Sequence, residues 1–106
     1  MKEEILSRNG IQQWTLSNGA KVVLYPTAYK ANEILFSAYS KGGSSLVTDA
    51  DYPSASIAAS FQQMSGLNGF SSVELQKKLA GKTVSVESWI DDSYEGLTGA
   101  SSIADL

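Results

Sequence analysis

The chain has 106 residues, 42% of them hydrophobic, and a formal net charge of -3 at neutral pH. That length allows one domain at most with a modest core, because domains of this size bury roughly two-thirds of the surface their unfolded chain exposes. The acidic balance and scattered lysines lack the basic patch that neutralises a phosphate backbone, which argues against nucleic acid as a partner; no apolar run nears the roughly 20 residues of a bilayer span, and the amino terminus has no secretory h-region, which argues against membrane insertion.

Residues 1–11 read as a linker or leader segment, and residues 12–106 as a partial α+β domain, cut at the start of a following helix. The stretch Q-Q-W-T-L-S-N-G-A-K-V-V-L-Y, residues 12–25, has the pattern of a β-hairpin. Asn18-Gly19 offers the two positive-φ positions of a type I′ turn between strand-like runs. A two-residue turn there sets Ser17 opposite Ala20 and Trp14 opposite Val23, so Trp14, Leu16, Val23 and Tyr25 share a face. Pro26 ends the second strand because it has no N–H for the ladder. Residues 33–40, E-I-L-F-S-A-Y-S, predict a third strand with Ile34, Phe36 and Ala38 on one side and Leu35 and Tyr39 on the other. Being apolar on both faces, it is expected inside the sheet.

Two helices are predicted next. Asp51 is placed to cap the first, Pro53 suits its opening turn, and Ile57, Ala58, Phe61 and Met64 form a stripe at helical spacing before Gly66 stops it. The second opens on the S-x-x-E capping box of Ser71 and Glu74, with Phe70 and Leu75 at the two staple positions. Leu75 and Leu79 are expected to face the core, Lys77 and Lys78 sit in the last turn, and Gly81 supplies the stop. T-V-S-V-E-S-W-I, residues 83–90, then alternates with Val84, Val86 and Ile90 on one face, and Y-E-G-L-T-G-A, residues 94–100, reads as its return strand. The order β-β-β-α-α-β-β predicts a mainly antiparallel sheet with two helices on one face. The closing S-I-A-D-L, residues 102–106, repeats a helix-start pattern where the polypeptide stops, which suggests an excised piece of a longer protein.

Histidine and cysteine are both absent. Zinc sites draw chiefly on those two residues, so a catalytic zinc held by this chain is not expected, and the carboxylates that remain suit harder cations. The same absence removes every Ser-His, Cys-His and His general-base arrangement. Other motifs have plainer readings beside their chemical ones. Gly66 to Gly69, G-L-N-G, has the spacing of an RNA-clamping loop, yet no Lys or Arg adjoins it and the preceding helix needs a stop, so an interhelical turn is preferred. Lys41-Gly42-Gly43 lacks the spacing of a phosphate loop and reads as a strand-ending turn. Asp49 with Asp51, and Asp91 with Asp92 and Glu95, could hold calcium, but neither set continues into an ion-wrapping loop, and capping and turn roles explain them. Ser60 near Gln63, and Ser56 with a distant lysine, imitate nucleophile pairs while fitting an exposed helix face. Trp14 and Trp89 could form an aromatic ligand platform; burial in a core or interface is preferred.

W-T-L-S-N-G-A-K-V-V-L-Y-P-T (14–27), N-E-I-L-F-S-A-Y-S-K-G-G (32–43), S-G-L-N-G-F-S-S-V-E-L-Q-K-K-L-A-G-K (65–82) and G-L-T-G-A-S-S-I-A-D-L (96–106) together resemble one repeat unit of the pitrilysin/insulinase-like zinc peptidases. The active helix of that family reads H-x-x-E-H. Aligned by the methionine that follows, Ala59 and Gln63 stand where the histidines would be and Gln62 where the catalytic glutamate would be. The resemblance thus implies a piece of the carboxy-terminal, non-catalytic half, with no catalytic residue and no metal ligand in this chain. The apolar stripe of the helix is expected to persist because it covers the sheet, while the former ligand positions use another face.

The role implied is a structural and peptide-contacting domain of a zinc metallopeptidase, inert alone. No cofactor is expected in this chain, and zinc is expected in the catalytic half of the parent. That half and a peptide substrate are the expected partners. The exposed sheet edge and the turn residues Gly66, Asn68, Gly69 and Phe70 are the expected substrate contacts. Likeness to bacterial members implies the periplasm or cell envelope. The alternatives are a non-peptidase assembly subunit of the same fold and an unrelated small α+β binding module.

Overall fold

A computed structural model describes the backbone of residues 2–6 and of residues 10–106, with side chains from residue 10 onward. Of the segment expected to be linker or leader, residues 1 and 7–9 lie outside the described residues. The chain divides into two compact units, Met1–Ala31 and Asn32–Leu106.

The first unit is an antiparallel sheet of β1 (Lys2–Leu6), β2 (Ile11–Thr15) and β3 (Lys21–Leu24), in that order across the sheet. β1 is a strand where the sequence predicts none; Glu3 pairs with Trp14 and Ile5 with Gln12. The β2–β3 hairpin exists, but its turn differs from the expected one. Trp14 lies opposite Val22 and Gln13 opposite Val23, one residue away from the two-residue register. Leu16 N–H donates to Ala20 O at 2.8 Å and Gly19 N–H to Leu16 O at 3.0 Å, while Gly19 has φ 86 and Asn18 is not among the positive-φ residues. These features describe a three-residue loop, a turn closed by a left-handed glycine, rather than a type I′ turn. Asn18 Oδ1 accepts from Ala20 N–H at 3.1 Å, a local bond that holds the asparagine at φ < 0. A one-residue slip moves alternate side chains to the other face. Val22 and Leu24 therefore join Trp14, and Val23 and Tyr25 do not; Val23 is 57% exposed.

The second unit holds β4 (Ile34–Lys41), a 3-10 turn (Gly43–Leu46), α1 (Tyr52–Ser65), α2 (Ser72–Leu79), β5 (Val84–Ile90) and β6 (Tyr94–Ser101). Its sheet is antiparallel in the order β4-β6-β5. The α+β class and the expected order of strands and helices from residue 12 onward both hold, with the strands shared between two three-stranded sheets. The placement of β4 does not hold: this strand forms an edge of its sheet, and β6 is the central strand. Glycine explains why β6 can be central. A Cβ at Gly96 would collide with the Ala38 carbonyl and the Trp89 ring, and one at Gly99 with the Ser85 carbonyl and the Phe36 ring. The Trp89 and Phe36 rings thus approach the strand closely, a use of glycine for close approach.

After β4, the backbone folds onto the β5–β6 turn. The N–H groups of Gly42, Ser44 and Ser45 donate to the carbonyls of Ser93, Asp91 and Asp92 at 3.0, 2.8 and 2.8 Å. Asp91 Oδ1 in turn accepts from the N–H groups of Ser93 and Tyr94 at 2.8 and 2.6 Å. The glycine pair at 42–43 is a strand-ending turn, with three neighbouring amides committed to carbonyls, and Asp91 is a turn residue.

α1 departs from expectation in two ways. Its first turn contains Pro53, but Asp51 makes no side-chain cap bond; its Oδ2 accepts the Thr48 hydroxyl at 2.8 Å instead. More consequentially, the stripe of Ile57, Phe61 and Met64 is 58%, 67% and 76% exposed. At 100° per residue, those three side chains lie opposite Ala55, Ala59 and Gln62. The latter side meets β5, and Ala55 and Ala59 are half-buried. The apolar stripe does not cover the sheet. α2 follows its sequence signal closely: Glu74 N–H donates to Ser71 Oγ at 3.3 Å, and Ser71 N–H to Glu74 Oε2 at 2.9 Å, completing the capping box. Leu75 is half-buried, whereas Leu79, expected in the core, is 43% exposed. Among the described residues no hydrophobic side chain is fully buried, and the most enclosed side chains are Ser44, Ser101 and Ser102.

Candidate functional site

The three positions aligned with the peptidase motif come together in the structure. Small residues at 55 and 59 let α1 approach β5 closely, and the next turn of the same helix face brings Gln62 and Gln63 to Ser88. The Ser88 hydroxyl donates to Gln62 Oε1 at 2.8 Å, with the Ala59 carbonyl 3.3 Å away, and Gln63 Nε2 donates to the Ser88 carbonyl at 3.0 Å. One residue of β5 therefore engages all three positions. Ser88 itself was not singled out in the sequence. The signal was present: in V-S-V-E-S-W-I it is the one polar residue on the face of Val84, Val86 and Ile90, which is where a polar partner from the helix must sit.

The chemistry of this cluster is limited by its atoms. It contains two carboxamides, a hydroxyl and backbone carbonyls, none of which accepts a proton near neutral pH. Among the described residues no three His, Cys, Asp or Glu side chains lie close enough to share a metal ion. A donor set of neutral amides and a hydroxyl does not fit zinc, which takes thiolate, imidazole and carboxylate ligands. As built, the cluster is a hydrogen-bonded clamp between helix and strand.

The second candidate follows directly. Gly66, Asn68, Gly69 and Phe70 border an open cavity of about 300 Å³ with Ser65, Leu67 and Ser71. Asn68 and Gly69, at φ 51 and 82, are the central residues of a tight turn in which Leu67 and Phe70 exchange two 3.0 Å backbone bonds. Two positive φ values in succession define the type I′ geometry. The turn expected at Asn18-Gly19 is thus found at Asn68-Gly69. Lys78 Nζ lies 4.3 Å from the Phe70 ring centroid, a cation–π contact that ties α2 to this turn.

The remaining candidates are dispersed. Ser56 Oγ donates back to the Pro53 carbonyl at 2.9 Å, a bond within α1. Trp14 lies on β2 of the first unit and Trp89 on β5 of the second; both indole N–H groups are enclosed and have no hydrogen-bond partner among the described residues. Two carboxyls are held below the usual carboxylate range. Glu74 is lowered by the Ser71 backbone N–H and then by the Ser71 hydroxyl. Asp105 is lowered by the Thr83 N–H, then by the Ser102 hydroxyl, with a smaller contribution from Lys82, whose Nζ is 3.9 Å away. Both act in structure, at a helix start and at the join between residues 82–83 and the last turn.

No family model matches the chain. Two relatives do. Over 105 residues, 99% of the chain, it is 27% identical to a protein of Haemophilus influenzae named probable zinc protease PqqL, of which it covers 11%. Over 71 residues, 67% of the chain, it is 32% identical to a zinc protease PQQL-like protein of Arabidopsis thaliana, of which it covers 7%. Among solved structures, the crystal structure of the periplasmic protease PqqL from Escherichia coli matches 99% of the chain with a TM-score of 0.87 at 24% identity, and the match takes in 12% of that protein. The fold is therefore shared, and the chain spans about a tenth of the length of the proteins it matches. The resemblance to zinc peptidases read from the sequence is borne out along nearly the whole chain.

Proposed function

We propose, from the premise that this chain is a segment of the pitrilysin-like zinc-protease kind, that it is a non-catalytic, structural and peptide-contacting part of a zinc metallopeptidase, from its carboxy-terminal half. One observation carries the reading: the positions that would hold the H-x-x-E-H groups are Ala59, Gln62 and Gln63, and they are bonded to Ser88 in a clamp with no titrating atom. A glutamine amide has no basicity with which to activate a water, so no step of hydrolysis is assigned to these residues. The catalytic zinc belongs in this reading to another part of the parent protein, which is also the chain's partner.

Peptide contact is assigned to the free edge of a sheet and to the turn at Gly66, Asn68, Gly69 and Phe70. A strand edge offers unpaired N–H and C=O groups in the spacing an extended peptide requires. The turn adds an open cavity beside an aromatic ring. A periplasmic or envelope location is inferred from the description of the Escherichia coli protein.

The test is made in a full-length protein carrying this segment. Gln62→Ala and Gln63→Ala should leave chelator-sensitive peptide hydrolysis within about twofold, since general acid–base groups contribute 10²-fold or more and these contribute none. A hundredfold loss with either variant, in protein that remains folded by circular dichroism, would overturn the reading.

A further inference from the structure

The sequence contains three Asn-Gly pairs, at residues 9–10, 18–19 and 68–69. Asn9 lies outside the described residues; the other two pairs are both exposed, each in a tight loop. Their hydrogen bonding is opposite. At the first, Asn18 Oδ1 accepts from Ala20 N–H at 3.1 Å and Gly19 N–H donates to Leu16 O at 3.0 Å, so the carboxamide and the amide that follows it are both engaged. At the second, the two bonds that close the turn belong to Leu67 and Phe70, and among the described residues neither the Asn68 carboxamide nor the Gly69 N–H makes one. Steric access does not separate the pairs, since a Cβ on either Gly19 or Gly69 would meet nothing within 4 Å.

We infer that Asn68 is a site of spontaneous covalent modification, deamidation through a cyclic imide, and that the fold directs this reaction to Asn68 and away from Asn18. Asparagine is a thermolabile residue, because its side-chain carbon stands one ring closure away from the next backbone nitrogen. The Gly69 nitrogen gives up its proton and attacks Cγ of Asn68; the N–Cγ bond forms, the Cγ–Nδ2 bond breaks, and Nδ2 leaves as ammonia with the proton restored. Water then opens the five-membered imide. Breaking the N–Cγ bond gives aspartate, and breaking the bond between the nitrogen and the backbone carbonyl carbon gives isoaspartate. Glycine favours the attack because no side chain crowds its nitrogen. At Asn18 the same step must first release the Gly19 N–H from Leu16 and the carboxamide from Ala20, whereas at Asn68 the reacting groups are already free of such bonds. The products differ in what they do to the turn. Aspartate tolerates the left-handed conformation and places a carboxylate beside the cavity that Asn68 borders. Isoaspartate lengthens the backbone by one carbon, which is incompatible with the two-residue turn between Leu67 and Phe70. The chemistry rests on this chain's own atoms and not on the reading under Proposed function.

The test ages a full-length protein carrying this segment in mildly alkaline buffer, once folded and once unfolded in urea. Samples are quenched and digested with pepsin in acid, and electron-transfer mass spectrometry reads aspartate and isoaspartate at each asparagine. In the folded protein Asn68 should be modified about 5- to 30-fold faster than Asn18, the factor for the one or two hydrogen bonds that must first break at the 18–19 pair. In urea the two rates should fall within about twofold of each other, since the folded bonds that distinguish the sites are gone. Absence of both products at Asn68 in the folded protein, or modification of Asn18 at an equal or greater rate, would overturn the inference. So would a preference for Asn68 that persists undiminished in urea, because its origin would then be the local sequence and not the fold.

Discussion

At Ser88 a single residue of β5 ties α1 to the sheet, through its hydroxyl and its carbonyl. A hydrogen bond of this kind is worth about 1 kcal/mol net. Ser88→Ala and Gln62→Ala should each lower stability to urea by about that amount. The double variant should lose less than the sum of the two, a coupling of about 0.5–1 kcal/mol for residues in direct contact. Strict additivity in the melting curves would show that the 2.8 Å contact carries no energy. A sharper residue-scale effect is expected at Gly96, where a methyl group has to displace the Ala38 carbonyl or the Trp89 ring. Gly96→Ala should cost roughly 1–3 kcal/mol, the range for overpacking, and the Trp89 fluorescence should change with it; a variant as stable as the parent would contradict the ring-over-glycine packing. At this scale the sequence was partly legible. Gln62, Gln63 and Ala59 were identified by alignment to a motif, whereas Ser88 lies 25 residues from Gln63 and is joined to it only by the fold. The two Asn-Gly pairs show a different limit. Asn68-Gly69 takes both positive φ values, while Asn18 spends its side chain on the Ala20 amide and leaves Gly19 to turn alone.

Elements were more legible where their ends are marked by specific chemistry. The capping box at Ser71 and Glu74 was found as expected because it needs only four consecutive residues. It also gives a pH dependence with a definite sign. The Glu74 carboxyl in the folded chain titrates below its unfolded value, so its contribution is present above the unfolded pKa and fades as the pH falls through the folded one; Asp105 acts in the same direction. Thermal stability should therefore fall on acidification below about pH 4, where carboxyls ordinarily titrate. Glu74→Gln should flatten part of that fall, as read from melting temperatures between pH 6 and pH 3. An unchanged acid slope would mean that the carboxylate is not bound to Ser71 in solution. The orientation of α1 was not legible. Periodicity marks Ile57, Phe61 and Met64 as one face, but it carries no information on what that face meets. Small residues at Ala55 and Ala59 permit a closer approach to β5, and that side won. The position of β4 escaped for a related reason: being apolar on both sides is a property shared by central strands and by edge strands.

Across the whole molecule, the family likeness and the α+β order were readable because they depend on pattern over many residues. The division into two units and the thinness of the apolar interior were not, since neither leaves a local mark. Large exposed apolar side chains on α1, and on both faces of the second sheet, are the feature expected of surfaces that other protein covers. The central proposal is that α1 is held in the fold by backbone and amide contacts to Ser88 and that this chain holds no zinc. It is tested most directly by calorimetric titration of the purified 106-residue chain with zinc at neutral pH. The account predicts no stoichiometric heat of tight binding and no change in the melting temperature. One zinc bound per chain with an affinity strong enough to survive gel filtration would contradict it.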